Sequence, residues 1–482
     1  LTLSQFDKNI SNLLDDWYDI AIYDTKSILK ISLTTAFLSQ SFIKKSLPGK
    51  KILSLLSYRN SNNILWTLKK SAWFILWLFK WLLYIQSIKK KKIIIAAIGS
   101  NLNSTSEYFK QLSSFALKNN CVVILLNLVE SILILKDRQI VYFPRFMYLG
   151  KNYFVDELNN KTLDEIINEF EKIAKINGLD VTIEKNIISK EFYALIKDFN
   201  SFNYLIKSSL SKSQILALIQ DYDYTYNKFI YCQLSKLNGI KSILIDSSFL
   251  IYSHLYKKVF SDYHLVWGEY KKDYLFKNNI IDVSRIIVTG KPVASRLTKT
   301  ITNTSKSIWL YISQAYSDPA LFISGRSFNY LKMNIDKLSE YQRMNHPEDK
   351  LFLKLHPADN PLDFDIKVQK SNSINLINLI ESARIIFVED TTLLFELVYR
   401  GYPVVYILDA FGNDNIGLVN QGLVPGVDFR GNFNDIIKAE LSGKIKVDLK
   451  ISNSFFEYYF GKYDDKDFEK ILSDILLKNE KK

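Results

Sequence analysis

The sequence predicts an α/β chain built as two parallel-sheet domains, with a basic helical extension in front of them. Three observations lead there. From Lys92 onward, short continuous apolar runs alternate with amphipathic stretches, the pattern of parallel strands covered on both faces. A polar break, RLTKTITNTSKS at Arg296–Ser307, separates two such series. At 482 residues the chain also exceeds one hydrophobic core, which stops growing near ~250–300 residues. The expected units are therefore 1–91, a helical basic segment; 92–296, a first Rossmann-like domain; 297–450, a second; and 451–482, C-terminal helices packing back on the first domain.

The extension carries the charge. The chain has 63 Lys and Arg against 50 Asp and Glu, a net charge of +13. From Thr25 to Ser106 there is no acidic residue, while fourteen basic ones stand there. Subtracting those fourteen from 63 leaves 49 basic residues against 50 acidic elsewhere, so the excess belongs to this segment alone. An anionic membrane surface and nucleic acid are the partners such a segment suits. Trp66, Trp73, Trp77 and Trp81 lie inside it, within an arc of roughly 80° at about 100° per helical residue. They form one apolar face instead of alternating with charge as a base-stacking platform would, which argues against nucleic acid. The run SAWFILWLFKWLLYIQSI is interrupted by Lys80 and followed by Lys89, Lys90, Lys91 and Lys92; as a membrane span it is marginal. A helix lying in the interface, with these tryptophans and Lys69, Lys70 and Lys80 at the headgroups, fits better. The alternative is a helix buried against the next domain. The apolar stretch starts too far from the N-terminus for a signal peptide. Two cysteines, Cys121 and Cys232, beside apolar runs read as buried free thiols in a reducing compartment.

The first βα series opens with IIIAAIG (Ile93–Gly99) and continues with CVVILLNL, then, after a long stretch from about Asp156 to Tyr231 read as helical, with KSILID (Lys241–Asp246), YHLVWG (Tyr263–Gly268) and RIIVTGKP (Arg285–Pro292). The second comprises IWLYISQ (Ile308–Gln314), KLFLKLHP (Lys350–Pro357), RIIFVED (Arg384–Asp390) and YPVVYIL (Tyr402–Leu408). Phe455, Phe456, Tyr459 and Phe460, followed by DFEKILSDILL, mark one or two closing amphipathic helices. Parallel sheets of this kind bind ligands beyond the carboxyl ends of their strands.

The sharpest chemical pattern is FVEDTTLLFELVYRGYPVVYI (Phe387–Ile407). A strand ends at Val388 and a helix starts near Thr391, so backbone N–H groups and the Thr391 and Thr392 hydroxyls can meet a phosphate. Glu396, one turn further on the same face, can accept from ribose hydroxyls. The ordinary alternative is that Asp390 or Thr391 only caps the helix.

The spacing Thr391-Thr392-x-x-x-Glu396, then Gly401-x-Pro403, resembles the donor-nucleotide motif of GT-B glycosyltransferases, in which Ser/Thr residues hold phosphate and Glu holds ribose. KLFLKLHPADNP (Lys350–Pro361) resembles the His-Pro motif of bacterial sialyltransferases, Kdo transferases and CDP-polyol-using capsule polymerases. That resemblance gives His356, with Pro357, a contact to the donor phosphate or carboxylate. LVWGEYKKDYLFKNNIIDVSRIIVTGKP (Leu265–Pro292) is similar to the same capsule-type enzymes. The likeness spans about Ile93 to Leu408 and implies a GT-B fold, with two Rossmann-like domains facing a cleft. Where CDP-polyol polymerases show His-Gly, this chain has IDSSFLIYSH (Ile245–His254), and of the acidic motif of the sialyltransferases only Asp246 survives.

An inverting transferase needs a base for the acceptor hydroxyl. Asp246 at a strand end is the candidate, with His254 its rival and helix capping the plain alternative. Ser313, Gln314 and Lys354 are further candidates around the donor phosphate. His346-Pro347, in a polar loop, reads as unrelated to the site, and Asp221-x-Asp223 as surface rather than a metal-binding pair. No metal and no other cofactor is expected, since helix dipoles and basic side chains meet the leaving group's charge in such enzymes. The expected activity is transfer from a nucleotide sugar, a CMP-linked acidic sugar favoured, to a surface glycan or glycolipid in capsule or lipopolysaccharide synthesis. The place expected is the cytoplasmic face of the inner membrane. The alternatives are a CDP-polyol-dependent polyol-phosphate transferase, a UDP-sugar GT-B transferase, a sugar-nucleotide epimerase and a non-catalytic membrane-binding scaffold.

Overall fold

The computed structural model of the chain describes residues 71–80, 91–98, 103–126, 132–143, 160–179, 182–209, 215–221, 226–246, 259–278, 280–291, 307–314, 328–356, 369–370, 376–409, 412–414, 416–431, 449–462 and 465–477, with residues 12, 13, 33, 433 and 437. Helix α1 occupies residues 71–80. The first sheet then runs through β1 (Lys92–Ala97), α2 (Asn103–Lys118), β2 (Cys121–Leu125), α3 (Ile132–Lys136) and β3 (Ile140–Tyr142). Two long helices follow, α4 (Asn160–Ile176) and α5 (Lys185–Tyr204), the latter running into a π-helical turn at Leu205–Ser209. The half closes with β4 (Ile215–Gln220), α6 (Tyr226–Leu237), β5 (Lys241–Ile245), β6 (Tyr263–Val266), α7 (Glu269–Lys277) and β7 (Ile286–Val288).

The second half contains β8 (Ile308–Ile312), α8 (Phe328–Asn345), β9 (Lys350–Lys354), β10 (Gln369–Lys370) and α9 (Leu376–Glu381). It continues with β11 (Ala383–Val388), α10 (Thr392–Tyr399), β12 (Val404–Ile407) and β13 (Gly426–Val427), and ends in α11 (Leu449–Phe460) and α12 (Asp465–Leu476).

Both sheets are parallel throughout, in the orders β3-β2-β1-β4-β5-β6-β7 and β10-β9-β8-β11-β12-β13. Each is the doubly wound Rossmann arrangement, whose strand order reverses once. The reversal falls between β1 and β4 in the first sheet and between β8 and β11 in the second. The central strands are buried on both faces, which is why IIIAA, CVVIL and IIFV read as unbroken apolar runs.

Two strands depart from the sequence reading. The stretch Asp156–Tyr231, expected to be helical, holds β4 at the centre of the first sheet, and β3 lies at its edge. β4 reads ILALIQ, and its Leu and Ala favour helix as readily as strand, so a six-residue apolar run there has no local signature. Cys121 and Cys232 are buried thiols that form no disulfide.

The face of α1 differs more. The tryptophan face expected at a membrane is turned inward: Trp77 is fully buried, packed against Tyr142 with ring centroids 6.4 Å apart, and Trp73 packs on the same core. Lys80 is buried as well and donates to the carbonyls of Leu135, at 2.7 Å, and Asp137. For these three residues the buried-helix alternative holds, because the core under β1 and β3 offers an aromatic partner, and the C-terminal end of α3 with the turn after it offers two carbonyls within reach. Trp66, Trp81, Lys69, Lys70, Lys89 and Lys90 lie outside the described residues; Lys91 precedes β1 and Lys92 opens it, both half-buried. Among the described residues no helix is long and apolar enough to cross a membrane.

The C-terminal helices tie the halves together. α11 packs on α7 of the first half and α10 of the second. Tyr459 stacks on Tyr270 at 4.2 Å, and Phe395 meets Tyr459 and Phe460 at 4.9 and 5.2 Å. α12 returns to α2, where Phe468, Leu472, Ile475 and Leu476 complete one face of the first sheet.

Candidate functional site

The carboxyl edge of the second sheet gathers most of the residues expected to hold a donor. At the end of β8, Ser313 donates its N–H to the Lys354 carbonyl at 3.0 Å, and its hydroxyl accepts the His356 N–H at 3.3 Å. This clasp fixes the ends of β8 and β9 side by side and presents His356 at the edge, where it remains exposed. Crowding by the surrounding protein, and then the charge of Lys354, hold the His356 imidazole below its ordinary value, so it is neutral near pH 7. Lys354 donates to the Leu355 carbonyl at 3.2 Å. Pro357 lies outside the described residues.

One strand over, β11 is followed by Glu389 and Asp390. Both acids point back into the domain. Glu389 is fully buried and accepts from the Tyr311 hydroxyl at 2.6 Å and the Gln314 N–H at 2.9 Å. Burial, then the Glu389 charge, push the Tyr311 phenol well above its ordinary value, so it stays protonated and donates. Asp390 accepts from the Tyr406 hydroxyl. With these carboxylates engaged inside, the edge is left to Thr391 and the start of α10. Thr391 adopts extended N-cap geometry, and its hydroxyl accepts the Leu393 N–H at 3.0 Å. Capping uses a lone pair only, which leaves the Thr391 O–H as a donor for an anion beside the helix N-terminus. The backbone of Thr392 opens the helix; its side chain lies outside the described positions.

Glu396, on α10, is held by a residue that sequence reasoning missed. Lys291, just beyond β7 of the first half, reaches the Glu396 carboxylate at 2.6 Å. Its ammonium also sits 4.8 Å from the Phe460 ring and 5.7 Å from that of Trp267. Its N–H donates to the Phe460 carbonyl at 2.8 Å. Lys291 stands in the phrase VTGKP, and no spacing in the sequence links it to Glu396, 105 residues away.

Asp246 follows β5 at the carboxyl edge of the first sheet, as expected, but it does not lie open to an acceptor. It is 2% exposed. One carboxylate oxygen takes Lys271 at 2.5 Å and His264 Nε2 at 3.0 Å, and the other takes the Trp267 N–H at 3.1 Å. Burial alone would raise its pKa; Lys271 and then His264 more than offset this and hold the carboxyl below its ordinary value. As placed, Asp246 is the centre of a buried ion pair rather than a base facing a substrate, and the reason is the proximity of α7, which delivers Lys271. His254 lies outside the described residues. Asp221 is also not the surface acid expected: it is buried at the end of β4 and pairs with Lys228. His346 stacks near Trp309 and Arg384 at the amino edge of the second sheet, away from the site. Among the described residues no cluster of three or more His, Cys, Asp or Glu could hold a metal ion.

The arrangement offers an O–H donor at Thr391 beside the α10 N-terminus, a carboxylate at Glu396 and an exposed imidazole at His356. No protein-family model and no curated protein matches the chain. Among solved structures, the chain is similar to a lipopolysaccharide outer core galactosyltransferase, WaaB in its apo form, at 13% identity and a TM-score of 0.44, with 80% of this chain and 99% of that one covered. It is similar to the UDP-GlcNAc 2-epimerase of Neisseria meningitidis bound to UDP-GlcNAc, at 15% identity and a TM-score of 0.42, covering 80% and 100%. It is also similar to Acinetobacter baumannii MurG, at 9% identity and a TM-score of 0.40, covering 80% and 99%.

Proposed function

We propose that this chain is a nucleotide-sugar-dependent glycosyltransferase of the GT-B type. The donor sits at the carboxyl edge of the second sheet and the acceptor on the side of the first. The observation that carries the reading is the placement of Thr391 at the N-cap and Glu396 within one short helix at the strand-order reversal of a Rossmann-like sheet, where such sheets take nucleotides. Thr391 and the helix N-terminus receive phosphate, and Glu396 receives the ribose hydroxyls. Ribose binding displaces Lys291 from Glu396 or shares the carboxylate with it. A displaced Lys291, with the neutral His356 donating a hydrogen bond, meets charge developing on the leaving nucleotide, so the reading calls for no metal. The His-Pro resemblance favours a CMP-linked acidic sugar, transferred with inversion to a glycan or glycolipid at the cytoplasmic face of a membrane.

Thermal unfolding with CMP, CDP and UDP tests the donor site. A ligand at a hundredfold its dissociation constant stabilises the folded state by about 2.7 kcal/mol, a shift of several degrees. The expected result is a shift with one nucleotide that Glu396→Gln weakens by about tenfold in affinity, the loss of one charge-assisted hydrogen bond. No shift with any of the three would overturn the reading.

A further inference from the structure

We infer that the face of α1 formed by Ala72, Ile75, Leu76 and Phe79 is the surface on which this protein rests against an anionic lipid bilayer. This deepens the membrane part of the proposed function, and it replaces the tryptophan face that the sequence suggests.

The four residues follow the i, i+3, i+4, i+7 spacing of one helical stripe, spanning about 100° of arc. All four are exposed, Ile75 and Leu76 to 49% and Phe79 to 63%. The stripe cannot turn inward, because the opposite side of the helix is fixed. Trp77 is seated in the core beside Tyr142, Lys80 is anchored on the Leu135 and Asp137 carbonyls, and the Lys80 ammonium lies 4.9 Å from the Trp77 ring. The outward stripe is thus rotated by roughly 120° from the Trp73–Trp77–Lys80 side. Among the described residues, every other exposed large apolar side chain, such as Leu117, Leu237 or Met344, stands alone on its element. Single exposures of that kind are ordinary; three on one helical stripe are not.

Charge selects the occupant. The stripe lies within the 82 residues from Thr25 to Ser106 that hold fourteen basic residues and no acidic one. A second copy would bring two such segments together and repel. Nucleic acid has no use for an apolar stripe. A bilayer with anionic headgroups satisfies both features: it takes Ile75, Leu76 and Phe79 into its acyl boundary, and its charge is opposite to that of the segment's sequence.

Flotation with vesicles of phosphatidylcholine, with and without 30% phosphatidylglycerol, at low and high salt, tests this on the full chain. The wild-type chain is expected to float with the anionic vesicles and to lose most of that binding at high salt. The double variant Leu76→Asp/Phe79→Asp is expected to bind at least tenfold more weakly at an unchanged unfolding midpoint, while Leu117→Asp binds as the wild type does. A wild-type chain that does not float overturns the membrane reading itself. A wild-type chain that floats together with an equally bound double variant overturns the assigned face alone. A wild-type dimer that the double variant converts to monomer overturns the choice of lipid in favour of a second copy. Nucleotide-induced thermal shifts in the same variants report on the donor site separately.

Discussion

Asp246 accepts from three donors in a space closed to water, and that sets what its substitution does. Asp246→Asn keeps the shape but leaves the Lys271 ammonium buried without its counter-charge, at a cost of about 3–5 kcal/mol in chemical denaturation. A base open to substrate would give a different result, lost turnover at unchanged stability. The pH dependence has a definite sign. The folded-state pKa of Asp246 lies below its ordinary value, so its contribution is present above the unfolded value near ~3.9 and is lost as pH falls through the folded one. The stability gap between wild type and Asp246→Asn should therefore close on acidification below about pH 4, and a gap independent of pH would contradict the ion pair. Position and environment part company here. The strand end at Asp246 was legible in KSILID, whereas Lys271 and His264 reach it from another helix and strand, and nothing local in the sequence announces them.

At the scale of elements, α11 crosses the first half at two glycines. A Cβ on Gly268 would lie 2.3–2.4 Å from the backbone of Tyr458 and Tyr459, and one on Gly461 would lie 2.3 Å from the Trp267 carbonyl. Backbone cannot retreat as a side chain can, so Gly268→Ala is expected to cost at least about 1–3 kcal/mol in thermal or denaturant unfolding. Gly401 provides the contrast: it has φ +73° and open space around it, so Gly401→Ala carries only the left-handed backbone term of about 1–2 kcal/mol. If Gly268→Ala is silent, the helices do not cross as closely as described. Elements with long β-branched runs, such as β1 and β11, could be read directly from sequence. β4 could not, because its six residues suit helix and strand alike and only its neighbours β1 and β5 decide. The α1 helix shows the same limit in another form: its amphipathic spacing was visible, but which face lies inside depends on Tyr142 and the Leu135 carbonyl, which lie some sixty residues away in the chain.

For the whole molecule, the first domain is finished by residues of the C-terminal region. Phe468, Leu472, Ile475 and Leu476 are buried on the first sheet, Glu469 pairs with Lys118, and Lys241 donates to the Ile475 carbonyl. Leu472→Ala, although remote in sequence from every strand of that sheet, should cost about 2–5 kcal/mol in unfolding, as for any large core truncation. It should also shift protection from hydrogen exchange in β1 and β2 rather than in β8 or β11; the opposite distribution would show that α12 belongs to the second domain. The two parallel sheets and the polar break between them were legible because each domain's pattern is local. The return of α12 was legible only as an amphipathic helix with an unassigned partner.

That return has a consequence for synthesis. A ribosome completes β7 some 185 residues before it completes α12, an interval of about 10–40 s at ordinary elongation rates. Throughout it, the emerging first sheet has an apolar flank with no lid. Folding of that lobe is therefore complete only once α12 has left the ribosome, and until then its apolar flank stays open to solvent or to a chaperone.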